Sequence, residues 1–503
     1  MSTEKHISYW RDSVELPSFP SLTEDLDTEV CIIGGGITGI VTAYLLSKEG
    51  KKVTLLEADT LLNGTTGYTT AKVTAQHGLI YDEIIQHMGL EKAKLYYQAN
   101  AEAIQFVEST VKELQIDCDL ENEDAYLYAT SEEYARKIHK EYEAYQSIGI
   151  PSNLDTTIPF PIETTTVLKM KEQKQFHPLR FLHKLINEMV QNGVAIYEHT
   201  PAKDIIEETR PVVVTKSDKH IRCNHVVIAS HFPFYDLKGF YFTRMYAERS
   251  YVLAVKPNEP FPGGMYYSVD SPTRSMRSVQ IKGETYVLVG GESHKTGQEE
   301  ETDIYYNALI DFSEKVLSSN KYDYQWSAQD LTTLDKLPYV GEITKENETI
   351  LIATGYRKWG MSNGIAASLL LCDLITGKDN PYKDLYSPSR VYLDPSIKNF
   401  IQTNADVAKH LIKGKLKTTD ENRELLVDEA AVFHLNGQKV GCYKDLTGKV
   451  HMVDTTCTHL GCEVAWNKAE KTWDCPCHGS RFSYEGEVIE GPALEPLTKI
   501  SEE

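Results

Sequence analysis

The sequence contains no run of about 18 consecutive apolar residues, so a membrane-spanning helix is not expected. The longest apolar stretch, Val30–Leu46, is interrupted by glycines. Positive charge is scarce: Lys and Arg number 52 against 73 Asp and Glu, a net −21. A field of that sign repels phosphate backbones and anionic lipid, which argues against nucleic-acid or membrane-surface binding. Met1–Trp10 holds neither a basic segment followed by an apolar one nor a twin-arginine pair, and the expected compartment is the cytoplasm. Internal repeats and low-complexity stretches are missing too. What remains reads as globular: 41% hydrophobic and 25% charged residues over 503 positions, enough chain for about three folding units at roughly 150 residues each.

Apolar strand, helical period and second apolar strand follow one another in Glu29–Ile33, Ile40–Leu46 and Val53–Glu57, the pattern of a βαβ unit in a parallel sheet. Short β-branched runs at Val194–Tyr197, Val212–Val214, Val226–Ala229 and Ile350–Ala353 are read as its continuation. The expected organisation is a discontinuous α/β nucleotide-binding domain from 26–80, 151–240 and 325–380. It is interleaved with a mixed α+β substrate domain from 81–150, helical by period, and 241–324, rich in alternating strands. Pro381–Pro395 reads as an extended linker, and Ile397, Phe400, Ile401, Val407, Ala408, Leu411 and Ile412 repeat at helical spacing, which places an amphipathic helix in a 381–423 connector. From 424 to 503 short strands and turns, such as Asn436–Gly437, predict an all-β module.

Gly34, Gly36 and Gly39 form G-x-G-x-x-G directly after a strand and at the start of a helix. Glycines there permit a tight turn, close approach of a pyrophosphate to the backbone, and close helix packing, while the helix N-terminus attracts the anion. Glu57 ends the next strand, where an acid accepts from a ribose hydroxyl. The Leu62–Lys72 loop, with Thr65, Thr66 and Thr70, suits an extended cofactor. With Phe176–Leu182, Asp335-Lys-Leu-Pro-Tyr-Val-Gly341 and the Thr354–Met361 loop, residues 26–380 resemble the D-amino-acid oxidase / glycine oxidase family. The resemblance implies FAD, a Rossmann-like FAD-binding domain, and cofactor contacts from Asp335, Gly355, Gly360 and Met361. It departs from the family at the slot of a carboxylate-binding arginine, where Gln280 or Ile281 stands, with Arg274 and Arg277 just upstream as candidates for an anion. Lys358 and Trp359, beside Arg357 in the flavin loop, are the other catalytic candidates, and Lys72 and Lys282 are considered for tuning the flavin.

Five cysteines, Cys31, Cys118, Cys223, Cys372 and Cys442, stand alone and read as small buried hydrophobes. Four others crowd together. Cys457-x-His459 and Cys475-x-x-His478 supply two thiolates and two imidazoles, a donor set that suits a 2Fe–2S centre with two histidines on one iron, or zinc. Cys462 and Cys477 sit at matching places in the two loops. With Gly491-Pro-Ala493, residues 424–503 resemble the Rieske family. That resemblance implies Cys457 and Cys475 on one iron, His459 and His478 on the other, and a Cys462–Cys477 disulfide. It further implies a Ser480 hydroxyl donated to a cluster sulfur, and an exposed histidine edge for an electron partner. Phe482 stands where high-potential members carry a tyrosine donor.

Together these motifs predict an FAD- and 2Fe–2S-dependent dehydrogenase. A small amine or hydroxy compound would reduce FAD, and electrons would leave singly through the cluster to an external one-electron acceptor. The alternatives are an NAD(P)H-dependent ferredoxin-type reductase fusion, for which no second nucleotide turn is found, and a non-catalytic redox relay or sensor. A Rieske oxygenase would need a further His–His–carboxylate iron site, and no D/E-x-x-H-x4-H pattern occurs.

Overall fold

A computed structural model describes residues 7–236, 239–390, 396–416, 424–435 and 437–500. Parts of the expected connector (391–395 and 417–423), Asn436 and residues 501–503 lie outside the described residues. The parallel sheet has six strands in the order Tyr339–Glu342, Ile350–Thr354, His225–Ile228, Val30–Ile33, Val53–Leu56, Ala195–Tyr197. All run parallel except the first, which folds back on its neighbour. Its central strands read as unbroken apolar runs because both faces are covered, one by helices through Val30, Ile32 and Leu55, the other by a small sheet carrying Ala202, Ile205, Val213 and Ile221 against Cys31, Ile33 and Val226. Two of those helices, Ile37–Lys48 and Gly360–Thr376, pack on each other so closely that a Cβ on Gly364 would stand 3.0 Å from Ile37 Cγ2.

A nine-stranded sheet faces this layer. It runs from Tyr322–Thr333 through Met245–Val255, Glu284–Lys295, Arg274–Ile281, Met265–Ser268, Glu121–Ala129 and Thr166–Gln175 to Lys72–Val73, with Ser152–Asp155 beside Thr166–Gln175. Alternation divides its side chains between two cores. Val252, Leu288 and Trp326 point inward to the core shared with Ile40, Ala366 and Leu370. Tyr251, Leu253 and Val287 point outward to Leu309 and Val316 of the helix Asp303–Leu317.

Three boundaries differ from the sequence reading. Glu121–Ala129 is a nine-residue strand inside a segment read as helical. Strands 152–155 and 166–175, allotted above to the nucleotide domain, pair in the large sheet, as does Tyr322–Thr333, which crosses the 324/325 boundary. Val212–Thr215 belongs to a separate four-stranded sheet with Leu26–Asp27, Ala202–Ile206 and His220–Arg222. The local pattern of a doubly covered strand is the same in any sheet; partner choice is a long-range matter.

The C-terminal module is two small antiparallel sheets, 429–454 and 465–490, around Val453, Trp473, Phe482 and Leu497. The helix Ser396–Leu416 lays Val407 and Leu411 on that core. The connector before it is pinned: Arg390 forms a fork to both oxygens of Asp335, at 2.7 and 2.8 Å, with both side chains 3% exposed. The module itself is docked on the large sheet and on the start of its outer helix, Asp303–Leu317. Thr302 donates to Asn467 at 2.7 Å, Tyr306 to Glu470 at 3.0 Å, Gln329 to Gly479 at 2.9 Å, and Arg249 pairs with Glu490 at 3.1 Å.

Candidate redox centres

The glycine turn has the geometry of a nucleotide cradle. Gly34 has φ +113°, and a Cβ on Gly39 would lie 1.8 Å from the Gly34 carbonyl oxygen, so only glycine allows this approach. Gly36 caps the helix in extended conformation without a side-chain bond, which leaves first-turn N–H groups for an anion. Thr66 Oγ1 accepts from the Ile37 N–H at 3.1 Å and ties the threonine loop to that helix start. Glu57 accepts from the N–H groups of Gly35 at 2.7 Å and Asp59 at 2.9 Å. Burial raises its pKa against those two bonds.

Gly355 and Gly360 flank the start of the second helix, where Met361 is buried, and Tyr356 joins Thr38 by a 2.9 Å hydroxyl pair, so the two glycine-rich helix starts converge. Thr65 donates to the Gln329 carbonyl at 3.0 Å, and Thr70 lies against Gly290, whose Cβ would be 3.5 Å from its methyl. The structure therefore brings the Gly34–Gly39 turn, Glu57, the threonine loop and the 355–361 loop together. Asp335 is differently engaged: its carboxylate takes the Arg390 fork and the Leu337 N–H at 3.2 Å.

The two candidate arginines, Arg274 and Arg277, do not share a site. They are separated by the pleat. Arg274 stands with Phe312 of the outer helix and is paired with Glu292 at 2.6 Å. Arg277 points inward, 3% exposed, with its guanidinium donating to the carbonyls of Ala71 at 2.8 Å, Ser278 at 2.9 Å and Phe176 at 3.4 Å. Burial lowers its pKa to about 10. Burial, with Arg277 adding to it, also lowers that of Lys72 to about 7. Lys282 occupies an exposed turn between strands.

Lys358 contacts the Ser293 hydroxyl. Trp359 stacks on His77 with ring centres 5.0 Å apart. His77, which sequence reasoning passed over, is buried, with Nδ1 2.6 Å from Tyr96 Oη and Nε2 2.7 Å from the Thr74 carbonyl and 2.9 Å from Ser362 Oγ. A carbonyl only accepts, so the proton sits on Nε2 and Tyr96 donates to Nδ1. Burial, with Arg357 adding to it, drives its pKa to about 3 and keeps it neutral. Asp330 was also missed: burial raises its carboxyl to about 7, opposed by Lys358 and reinforced by Glu248, its cross-strand partner. The run Trp326–Leu331, which also holds Ser327 and Gln329, gave no sequence signal for this acid.

At the cluster site two loops meet, each closed on itself: Cys457 N–H bonds to the Cys462 carbonyl at 2.8 Å, and Cys475 N–H to that of Ser480 at 2.8 Å. Cys462 and Cys477 form a disulfide, and with Cys475 their sulfurs lie within 4.8 Å of one another. A disulfide sulfur is no thiolate, so the donors are Cys457, Cys475, His459 and His478. Cys475 donates to Cys457 and, with the Ser480 hydroxyl, holds its pKa below the usual thiol value against burial. Burial lowers His459 to about 4 and, with His459 adding to it, His478 to about 3, so both present neutral imidazoles. Their rings are 5.0 Å apart, and among the described residues the buried Nδ1 atoms of both lack a hydrogen-bond partner. Two thiols plus two aimed, unsatisfied imidazole nitrogens fit a mixed-ligand 2Fe–2S centre. Ser480 also accepts from the Ala493 N–H at 3.0 Å, which fixes the proline loop. Phe482 is fully buried. The expected exposed edge on both histidines is corrected for one of them: His478 is 6% exposed, whereas His459 is half-buried, and Phe242 of the same chain lies against His478 at 5.4 Å and against His459 at 5.9 Å.

Among the described residues no helix is long and apolar enough to cross a membrane. Comparison with known proteins matches residues 29–374 to the FAD dependent oxidoreductase family (DAO) and residues 416–501 to the Rieske [2Fe-2S] domain. A Bacillus subtilis (strain 168) protein described as a Rieske 2Fe-2S iron-sulfur protein, YhfW, is 50% identical over 98% of this chain and 97% of its own length. The gamma-glutamylputrescine oxidoreductase of Escherichia coli (strain K12) is 22% identical over 75% of this chain and 90% of its own. The crystal structure of glycine oxidase from Geobacillus kaustophilus superposes with TM-score 0.61 at 20% identity, over 73% of this chain and 99% of that one; at that identity the likeness is one of fold.

Proposed function

As this chain belongs to the FAD dependent oxidoreductase family and carries a C-terminal Rieske [2Fe-2S] domain, we propose that it is a dehydrogenase of a small amine or hydroxy compound that delivers electrons singly through its cluster to an external one-electron acceptor. Bound FAD supplies acceptance of an electron pair from a C–H bond beside nitrogen or oxygen, and the 2Fe–2S centre supplies one-electron carriage.

The chain's own groups do the rest. The Ile37 helix start and Thr66 hold the pyrophosphate region, and Glu57 the ribose. Neutral His77, fixed by Tyr96 and Ser362, braces Trp359 at the mouth of the flavin loop. Cys457, Cys475, His459 and His478 hold the irons. The observation that carries the reading is the docking of the cluster loop: Gly479, next to the ligand His478, bonds to Gln329 of the sheet that also receives the FAD loop. A module seated there favours transfer within the chain over a free-standing ferredoxin. A panel of amines and hydroxy acids is to be mixed anaerobically with holoprotein while flavin absorbance and cluster EPR are followed. One compound class should bleach the flavin and then reduce the cluster. Bleaching by NADH alone, or by no compound, overturns the reading.

A further inference from the structure

Resting on that reading, we propose that Gln329 is the positioning residue that couples the flavin-side loop to the cluster, and that the docked arrangement described here is the one in which electrons cross. Gln329 is 1% exposed in the strand Tyr322–Thr333 and bonds at every polar atom that matters. Its main-chain carbonyl receives the Thr65 hydroxyl at 3.0 Å, and the His231 side chain bonds to its backbone. Its side-chain Nε2 donates to the Gly479 carbonyl at 2.9 Å, and its Oε1 accepts from Thr296 at 2.7 Å. The Gly479 carbonyl can only accept, so the amide has one orientation.

The result is a continuous route. It runs from Thr65 in the cofactor loop through a hydrogen bond to Gln329, along that side chain, through a second bond to Gly479, and across one peptide link to His478. Phe242 touches both histidines from the 241–243 turn. The seat is tight: Gly479 has φ +81°, and a Cβ there would lie 2.4 Å from the Ala247 Cβ and 3.2 Å from the Gln329 amide. In each passage one electron leaves reduced FAD and one ferric iron becomes ferrous. The cluster then gives its electron to a one-electron acceptor, ferricyanide in the assay, before the second follows.

The test uses the full-length holoprotein. Deazaflavin-sensitised flash reduction of its FAD under nitrogen is followed by the absorbance and EPR of the cluster, with the radius of gyration from X-ray scattering measured alongside. Wild type should show cluster reduction at a rate independent of protein concentration. Gln329→Leu keeps the volume and removes both side-chain bonds. It should slow that rate about tenfold or more, with flavin and iron content, EPR g-values and radius unchanged. Gly479→Ala should slow it with an increased radius, because the added methyl lifts the loop from Ala247.

A Gln329→Leu rate within about twofold of wild type, a slowed rate accompanied by an enlarged radius, or an unaffected Gly479→Ala rate would each overturn the proposal. A wild-type cluster that stays oxidised while the flavin bleaches overturns the dehydrogenase reading instead, and the coupling with it.

Discussion

Replacing Glu490 by glutamine removes one negative charge from a seam where two guanidiniums meet it. Arg249, 1% exposed, reaches Glu490 at 3.1 Å, and Arg481, itself held by Asp474 at 3.1 Å, reaches it at 3.5 Å. Arg249 otherwise bonds to Ser327, and its buried Nε has no partner among the described residues. At 3.1 Å and an effective dielectric of about 20, the attraction is worth about 5 kcal/mol. Glutamine keeps a hydrogen bond of about 1 kcal/mol, and the 22% exposure of Glu490 admits water that screens the pair further. The expected net loss is about 2 kcal/mol.

Urea unfolding of the holoprotein, followed separately by flavin fluorescence and by the visible circular dichroism of the cluster, reads it. The cluster signal should be lost at lower urea in Glu490→Gln while the flavin transition moves less. In a double-mutant cycle Arg249→Met should lose less on the Glu490→Gln background than alone, by about 2 kcal/mol. Because Arg249 is buried while Glu490 is 22% exposed, about 0.5 M salt should weaken this coupling only in part. Strict additivity, or a coupling abolished by salt, would refute the argument that the pair seats the module.

Two buried groups give opposite pH signatures. Lys72 is lowered from 10.5 to about 7, so the unfolded chain binds more protons between those values and stability rises with pH across that window; Lys72→Met should stabilise the protein below it and abolish the rise in denaturation midpoint. Asp330 is raised from 3.8 to about 7, so the folded chain binds the extra proton and stability falls as pH climbs from 3.8 to 7; Asp330→Asn should flatten that fall in the same titration. Phe482→Tyr places a hydroxyl beside the cluster ligands and should raise the midpoint potential in a redox titration, since donors to cluster sulfur favour the reduced state; an unchanged potential would show that the hydroxyl does not reach a ligand. Cys462→Ser with Cys477→Ser opens a link of sequence separation 15 and should cost about 3 kcal/mol, read as earlier thermal loss of the cluster spectrum.

Chemistry carried on short segments was legible without coordinates. Gly34, Gly36 and Gly39 between strand and helix, Glu57 one strand later, and the Cys-x-His and Cys-x-x-His pairs are each fixed by a few bonds along the backbone, so spacing alone positions them. The five lone cysteines are buried as their apolar neighbours implied. The neighbours that tertiary structure chose were not legible. Whether Arg274 and Arg277 share a site depends on a pleat that sends them to opposite faces, and the role of Asp335 depends on Arg390, 55 positions away in sequence. His77 and Asp330 look ordinary in sequence because their properties come from desolvation, which belongs to the packed state. The seam shows the division most plainly: short motifs and the family resemblances they carry pointed to two redox modules and a connector, but only the fold could bring Gln329 to Gly479 and lay Phe242 over the histidines, since contacts 150 residues or more apart are selected by complementary surfaces rather than by local pattern.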